Sequence, residues 1–464
     1  GGAHAGSTVM AIDPDMDEDL DLLLGDLTYE GLVFLENGGA SEAAFMTSVD
    51  YSFPSYDTPV QMPVFLGAFS VDVNNDGLED LLVAPNAQSS IQNTNNIWYY
   101  RNTGQDKALY SLEQQDFLIE ECLDYGSYSV PVYTDYNADG LQDIIIAASG
   151  PFNGISSEMR LVLLENTGSP KQASFEIVDE DYLDFSAFSS TSSNPAPCLG
   201  DLDGDGDQDM LIGDESGKLY YFENTAGPGN TFEFANPVYN WMNISSGQRI
   251  RPALFDYNKD GLLDLIIGER NTNGYNDPQT GDFYTGNLNY YQNQGTEENP
   301  LFDPEVTNAP NHPALGRINV SFSVSASARG GASPFFYSLD GKDYLFVGSI
   351  GGRISQYEIM SEDPNEPAVL IDDRLGGLVE GFWTAPALED IDTDGQLEIL
   401  IGNSRGGVSF FKTEIFTSNT RDFASGATGI NIYPNPASDI VYLESEKALQ
   451  RIVLSDANGK IMRI

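Results

Sequence analysis

Four acidic residues, Asp13, Asp15, Asp17 and Asp21, stand at positions one, three, five and nine of a nine-residue stretch. The same grammar returns as Asp72, Asn74, Asp76 and Asp80; Asp135, Asn137, Asp139 and Asp143; Asp201, Asp203, Asp205 and Asp209; Asp256, Asn258, Asp260 and Asp264; and Asp390, Asp392, Asp394 and Glu398. Oxygens at these positions, with a backbone carbonyl at position seven, can wrap a tight turn around a hard cation. Ca2+, which takes six to eight oxygens in loose geometry, suits them best. Gly77, Gly140, Gly206, Gly261 and Gly395 fall at position six, where a sharp turn asks for a positive φ. The first loop has Glu18 there and is expected to be the most distorted of the six. Solvated Asx turns without metal are the alternative, but three or four bare carboxylates in one short loop repel one another. A seventh candidate, Asp340-Gly341-Lys342-Asp343, has lost ligands and gained a lysine, so it is expected to be empty. The sequence thus predicts about six Ca2+ sites, one per repeat except the sixth.

Other chemistry is sparse. Arg249, Arg251, Arg270, Arg329, Arg353 and Arg405 map to connections on the side opposite the acidic loops, where Trp98, Phe152, Tyr275, Phe283 and Tyr284 also fall. Gathered around one mouth, guanidinium groups and rings could hold an acidic glycan or a protein partner; the arginines could equally pair with nearby carboxylates, and the rings could pack their own loops. His4 and His312 are the only histidines, no nucleophile elbow or HExxH appears, and the acidic spacing explains most paired carboxylates. The chain is therefore expected not to be an enzyme, with a polysaccharide lyase or its glycan-binding propeller as the alternative. Cys122 and Cys198, far apart in apolar settings, read as two buried thiols rather than a disulfide.

The elements that carry these loops repeat. Over residues 9 to 412 a short strand, often with a Pro, leads into the acidic loop; an apolar run follows, and then an aromatic strand ending near Asn-Thr-Gly. Seven copies begin at intervals of 50 to 84 residues, which suits one four-stranded propeller blade each. The runs LLLG, LLVA, IIIA, MLIG, LIIG, LFVG and ILIG are continuous, so both faces of that strand should be covered. A sandwich is the rival, but seven units of one grammar favour a seven-bladed β-propeller over residues 1–416. The register places Gly1 opposite Ile244, so residues upstream of Gly1 are expected to supply the outer strand of blade seven and close the ring. The net charge of −50, from 71 acidic and 21 basic residues, argues against nucleic acid and anionic membrane as partners, and no apolar run reaches the ~20 residues that span a bilayer.

The units DVNNDGLEDLLV, DYNADGLQDIIIA, DLDGDGDQDMLIG and DYNKDGLLDLIIG resemble FG-GAP or VCBS repeats, the calcium-bearing blades also seen in integrin α-subunit propellers. That resemblance implies a propeller with metal loops on one face and no particular chemistry. After a polar linker over 417–428, residues 429–464 change character. Tyr433-Pro434-Asn435-Pro436 and the later Asp456 to Lys460 resemble the type A sorting domain of the Bacteroidota type IX secretion system, here cut short. The resemblance implies as partners the outer-membrane translocon and its shuttle, and as location the cell surface or the medium.

Overall fold

The computed structural model describes residues 7–416 apart from 28, 40–42, 63–64, 87–94, 120–124, 151–156, 190–192, 245, 272–274, 277–282, 285–287, 303–314, 319, 321 and 324–327, and beyond them 430–433, 442–445, 454–455 and 461–462. Seven antiparallel strand groups, or blades, follow one another from Thr8 to Phe416, one per repeat, those of repeats five and six being joined where Arg270 and Asn271 pair with Gly331 and Gly330. Blade one is Thr8–Ile12, Asp21–Gly25, Leu32–Asn37 and Met46–Phe53; blade two is Leu66–Val71, Asp80–Pro85, Trp98–Asn102 and Tyr110–Gln114. Blade three runs through Val130–Thr134, Asp143–Ala148, Arg160–Asn166 and Phe175–Asp179, and blade four through Ala196–Gly200, Asp209–Gly213, Leu219–Phe222 and Val238–Tyr239. Blade five is built on Gln248–Phe255, Asp264–Asn271 and Leu288–Tyr291, and blade six on Ala328–Leu339, Lys342–Ser349, Ile354–Ile359 and Val369–Asp372. Blade seven has three described strands, Ala385–Glu389, Gln396–Gly402 and Val408–Phe416.

Five of the seven blades close a ring, which corrects the expectation of seven. Four of the five junctions share one geometry: a glycine sits near the end of the second strand of one blade, and a Cβ there would collide with the backbone of the next blade's first strand, whereas blade three has Ala147 at that position. Gly213 meets Ile250 in this way, Gly268 meets Ala332 and Gly348 meets Thr384, each with the neighbour's Pro252, Pro334 or Pro386 against it. Gly402 of blade seven makes the same contact, but with Ser129 and Pro131 of blade three. The Ser129 amide donates to the Asn403 carbonyl at 3.1 Å, and the Asn403 amide to Ser129 Oγ at 3.0 Å. Apolar clusters join blades three and four, four and five, five and six, six and seven, and seven and three. Blades one and two share a separate core of Leu23, Leu32, Phe53, Leu66, Leu81 and Tyr100. Closure therefore needs no strand from upstream of Gly1.

Burial explains the difference. The second strands of blades three and four, DIIIAA and DMLIG, are buried at every residue, whereas DLLLG of blade one alternates buried and half-buried. A neighbour covers both faces in the ring and one face in the pair. The five ring blades also carry Pro131, Pro197, Pro252, Pro334 and Pro386 in their first strands, at positions that Val9 lines up with in blade one and Ala68 in blade two. Each first strand is a sheet edge facing the axis, where a residue without an N–H loses no ladder bond. Blade six turns through Asp340 (φ 52°) and Gly341 (φ 73°), a two-residue hairpin that replaces the acidic loop.

Ser418–Ile464 forms a second compact unit. Ile430–Tyr433 pairs with Tyr442–Ser445, and Leu454–Ser455 with Ile461–Met462. The proposed linker, Pro434, Asn435 and Pro436 lie outside the described residues.

Candidate functional sites: the acidic loops and the axial mouth

All six acidic loops fold alike. Positions four and six are left-handed in each: Met16 and Glu18, Asn75 and Gly77, Ala138 and Gly140, Gly204 and Gly206, Lys259 and Gly261, and Thr393 and Gly395. In five of the loops the position-one carboxylate accepts from the amides of positions five and six, as Asp72 does from Asp76 at 3.1 Å and Gly77 at 2.9 Å; in blade four Asp201 accepts from Gly204 and Gly206, positions four and six. Carboxylate oxygens of Asp13, Asp15 and Asp17, of Asp201, Asp203 and Asp205, and of Asp390, Asp392 and Glu398 come within 4.8 Å of one another.

Position nine does more than face the loop. Asp80 is fully buried; its Oδ1 accepts from the Asn102 amide at 2.7 Å and its Oδ2 from the Val73 amide at 3.1 Å. Asn102 Nδ2 donates back to the Glu79 carbonyl, and its Oδ1 accepts from Gly104 and Leu109. The same lock joins Asp143 to Asn166, Asp209 to Asn224 and Asp264 to Asn293, so the recurring Asn fastens the acidic loop to the third and fourth strands. In blade one Pro14 occupies position two and has no N–H, and buried Asp21 Oδ2 is left without a partner. Glu18 sits at φ 72° where the other loops have glycine. Both observations bear on the expected distortion of that loop. Burial pushes Asp21 and Asp143 up to about 6 and Asp209 up to about 7.

The sequence reading missed three loop residues. Asp19 and Asp207, at position seven, are buried, and each keeps a carboxylate oxygen without a hydrogen-bond partner. In blade seven the cation is built in: Lys412 Nζ lies 2.8 Å from Asp392, 2.6 Å from Asp394 and 3.3 Å from Glu398. At the loopless blade six, Lys342 pairs with Glu358 at 2.7 Å and Asp343 with Lys259 at 2.9 Å.

At the other end of the first strands the ring blades converge again. The residue three before each Pro is Tyr128, Asn194, Arg249, Gly331 or Trp383. The four with side chains have φ of 61°, 54°, 52° and 59°, a conformation that costs such residues free energy and concentrates at functional sites. Gly331 leaves the room that the Trp383 ring fills. The Arg249 guanidinium lies 4.0 Å from the Tyr128 ring centroid and 4.4 Å from that of Trp383. Its Nε donates to Glu215 at 2.6 Å, and Arg270 reaches the same carboxylate at 3.8 Å. Arg251, 5% exposed, finds among the described residues Ser333 Oγ at 3.3 Å and the Trp383 carbonyl at 3.4 Å. Burial, then the charge of Arg249, push it down to about 9, so it stays cationic at neutral pH. Below it a cavity of about 200 Å³ runs between the first strands of all five ring blades.

Of the expected ligand residues, then, Arg249, Arg251 and Arg270 come together. Trp98 is corrected: it is buried in the core of blades one and two, its Nε1 donating to Asn95. The side chains of Arg329, Tyr275, Phe283 and Tyr284, and residues Phe152 and Cys122, lie outside the described set; Cys198 is a free thiol. Tyr128, Glu215 and Trp383 escaped the sequence reading, although their fixed offsets from the blade prolines and acidic loops were there to be read.

Residues 72–146 and 201–267 match the FG-GAP-like repeat. No curated protein matches the chain in sequence. Among solved structures it is similar to the endo-arabinase from Bacteroides thetaiotaomicron (15% identity, 63% of this chain and 96% of that one, TM-score 0.37). It is also similar to a GH43 β-xylosidase/α-arabinofuranosidase from a compost microbial metagenome (12% identity, 74% and 96%, TM-score 0.37) and to a lectin from Burkholderia pseudomallei (10% identity, 89% and 97%, TM-score 0.29). The fold is all-β, of propeller type with FG-GAP-like repeats. Among the described residues no helix is long and apolar enough to cross a membrane.

Proposed function

We propose that this chain is a calcium-stabilised β-propeller that binds a ligand at its axial mouth, serving as an adhesion or scaffold module at the surface of a Bacteroidota cell or in its surroundings. The observation that carries the binding reading is the convergence of Arg249, Arg251, Arg270, Tyr128 and Trp383 at one end of the ring's first strands, with Tyr128, Arg249 and Trp383 held in left-handed backbone.

The acidic loops fit Ca2+: hard oxygen donors lie within reach of one another, and buried oxygens of Asp19, Asp21 and Asp207 have no other partner. When bound, the ion supplies compensating charge and fixes the hairpin between a blade's first two strands. Five loops are proposed to take an ion, while Lys412 serves blade seven. The enzyme alternative is the weaker reading, since a glycosidase needs two carboxylates and among the described cavity-lining residues Glu389 is the one carboxylate. Export by the type IX system, through the translocon and its shuttle, rests on the resemblance of residues 429–464 alone. The test is a melting curve in Ca2+ and in EDTA with a ligand screen in Ca2+. Identical melts end the structural role of the metal; a screen in which Arg249→Ala and Trp383→Ala bind every hit as the native chain does ends the role of the mouth.

A further inference from the structure

Arg251 carries a full charge into the centre of the ring, and among the described residues no carboxylate forms an ion pair with it, Glu389 lining the same cavity without pairing. Among the described ion pairs, Glu215 serves both Arg249 and Arg270, and none reaches Arg251. A buried guanidinium left with a hydroxyl and one carbonyl is costly, and it persists where something compensates it. Arg249 adds a second unmet donor, because its Nη1 is buried without a hydrogen-bond partner.

The cavity beneath Arg251 defines what fits. Its walls are Pro131, Pro197, Pro252, Pro334 and Pro386 with Val130, Ala253 and Phe335 among their neighbours. The proline rings offer an apolar surface without N–H donors, while Arg251, Ser333, Tyr133, Gln208 and Glu389 supply polar groups to the same cavity. About 200 Å³ is smaller than the ~300 Å³ at which drug-sized pockets begin.

We propose that this axial cavity is a site for a small aliphatic monocarboxylate. Its carboxylate takes the Arg251 guanidinium as a charge-assisted partner and accepts from Ser333 Oγ, whose own proton is free because the oxygen already accepts from Arg251. The short alkyl body lies along the proline walls. Arg249, held between Tyr128 and Trp383, stands over the same opening. The inference deepens the binding reading of the mouth by naming the class of ligand.

The test uses the full chain in Ca2+ with 13C-carboxyl propionate, galacturonate and sulfate as probes, read by NMR titration and by the shift in melting temperature. Saturable propionate binding is expected, weakened about 30-fold by Arg251→Met through loss of a charge-assisted bond and to a lesser degree by Ser333→Ala. Without propionate, Arg251→Met should melt no lower than the native chain, since an uncompensated charge has been removed. Failure of Arg251→Met to fold would contradict this, and the Ser333→Ala titration would then decide whether the anion sits at this end. Galacturonate or sulfate binding as tightly as propionate, or no saturable propionate binding, overturns the proposal. The Ca2+ increment in melting temperature is independent of these outcomes, so failure here is distinguishable from failure of the calcium-stabilised reading.

Discussion

Replacing Lys412 by Ala removes the one ammonium among three carboxylates and turns blade seven into a loop like the others. Two of its contacts, to Asp392 and Asp394, are part-exposed and contribute about 0.5 kcal/mol each. The third partner, Glu398, is 2% exposed; it keeps the hydrogen bond from the Ile391 amide at 3.1 Å, but losing its charge partner costs about 1–2 kcal/mol more. The deficit in EDTA should therefore be about 2–3 kcal/mol, or roughly 5 °C in melting temperature for a unit of this size. In Ca2+ the variant gains a site that the native chain fills with lysine. At a hundredfold excess over its dissociation constant, that ion returns about 2.7 kcal/mol. Differential scanning calorimetry of both chains with and without Ca2+ should show the gap closing as the ion is added, with one more ion bound per variant chain by calorimetric titration. A gap of equal size in both conditions, with unchanged stoichiometry, would refute the idea that Lys412 stands in for a metal.

Three further outcomes follow from the same geometry. In EDTA the chain should be less stable at pH 8 than at pH 5. Burial raises Asp21, Asp143 and Asp209 above the ordinary carboxylate value, so the folded state holds more protons than the unfolded one between about pH 4 and 7, and stability falls as pH rises through that window; Ca2+ should reverse the trend, and melts across pH check both signs. Gly402→Ala should lower the melting temperature of the ring by several degrees, because its Cβ meets the Ser129 backbone, at a cost of about 1–3 kcal/mol for overpacking; no loss would argue against closure of blade seven on blade three. Asn224→Ala should destabilise blade four by about 1–3 kcal/mol, since the Gln208 carbonyl and the amides of Ala226 and Glu233 lose their partner; urea denaturation measures it.

Much of the fold is legible in the sequence because one unit recurs in register: loop spacing, continuous apolar strands and aromatic third strands each have a local physical cause. Ring size does not, because a blade's own residues say how it folds and only its contacts say which blade it meets. The clue was nevertheless present in the prolines of the five ring blades, which blades one and two lack at the matching positions. Lys412 was likewise hidden by distance along the chain, lying well beyond the loop it neutralises. Trp98 misled the sequence reading because an aromatic beside a long connection looks the same whether it faces solvent or a core.

The most direct test of the account is a diffraction experiment on crystals grown in Ca2+, with anomalous differences recorded to place the ions. The expected result is a ring in which blade seven packs on blade three, with ions in the loops of blades one to five and the Lys412 ammonium in that of blade seven. A ring in which blade seven packs on blade one, or acidic loops without anomalous peaks, would contradict it.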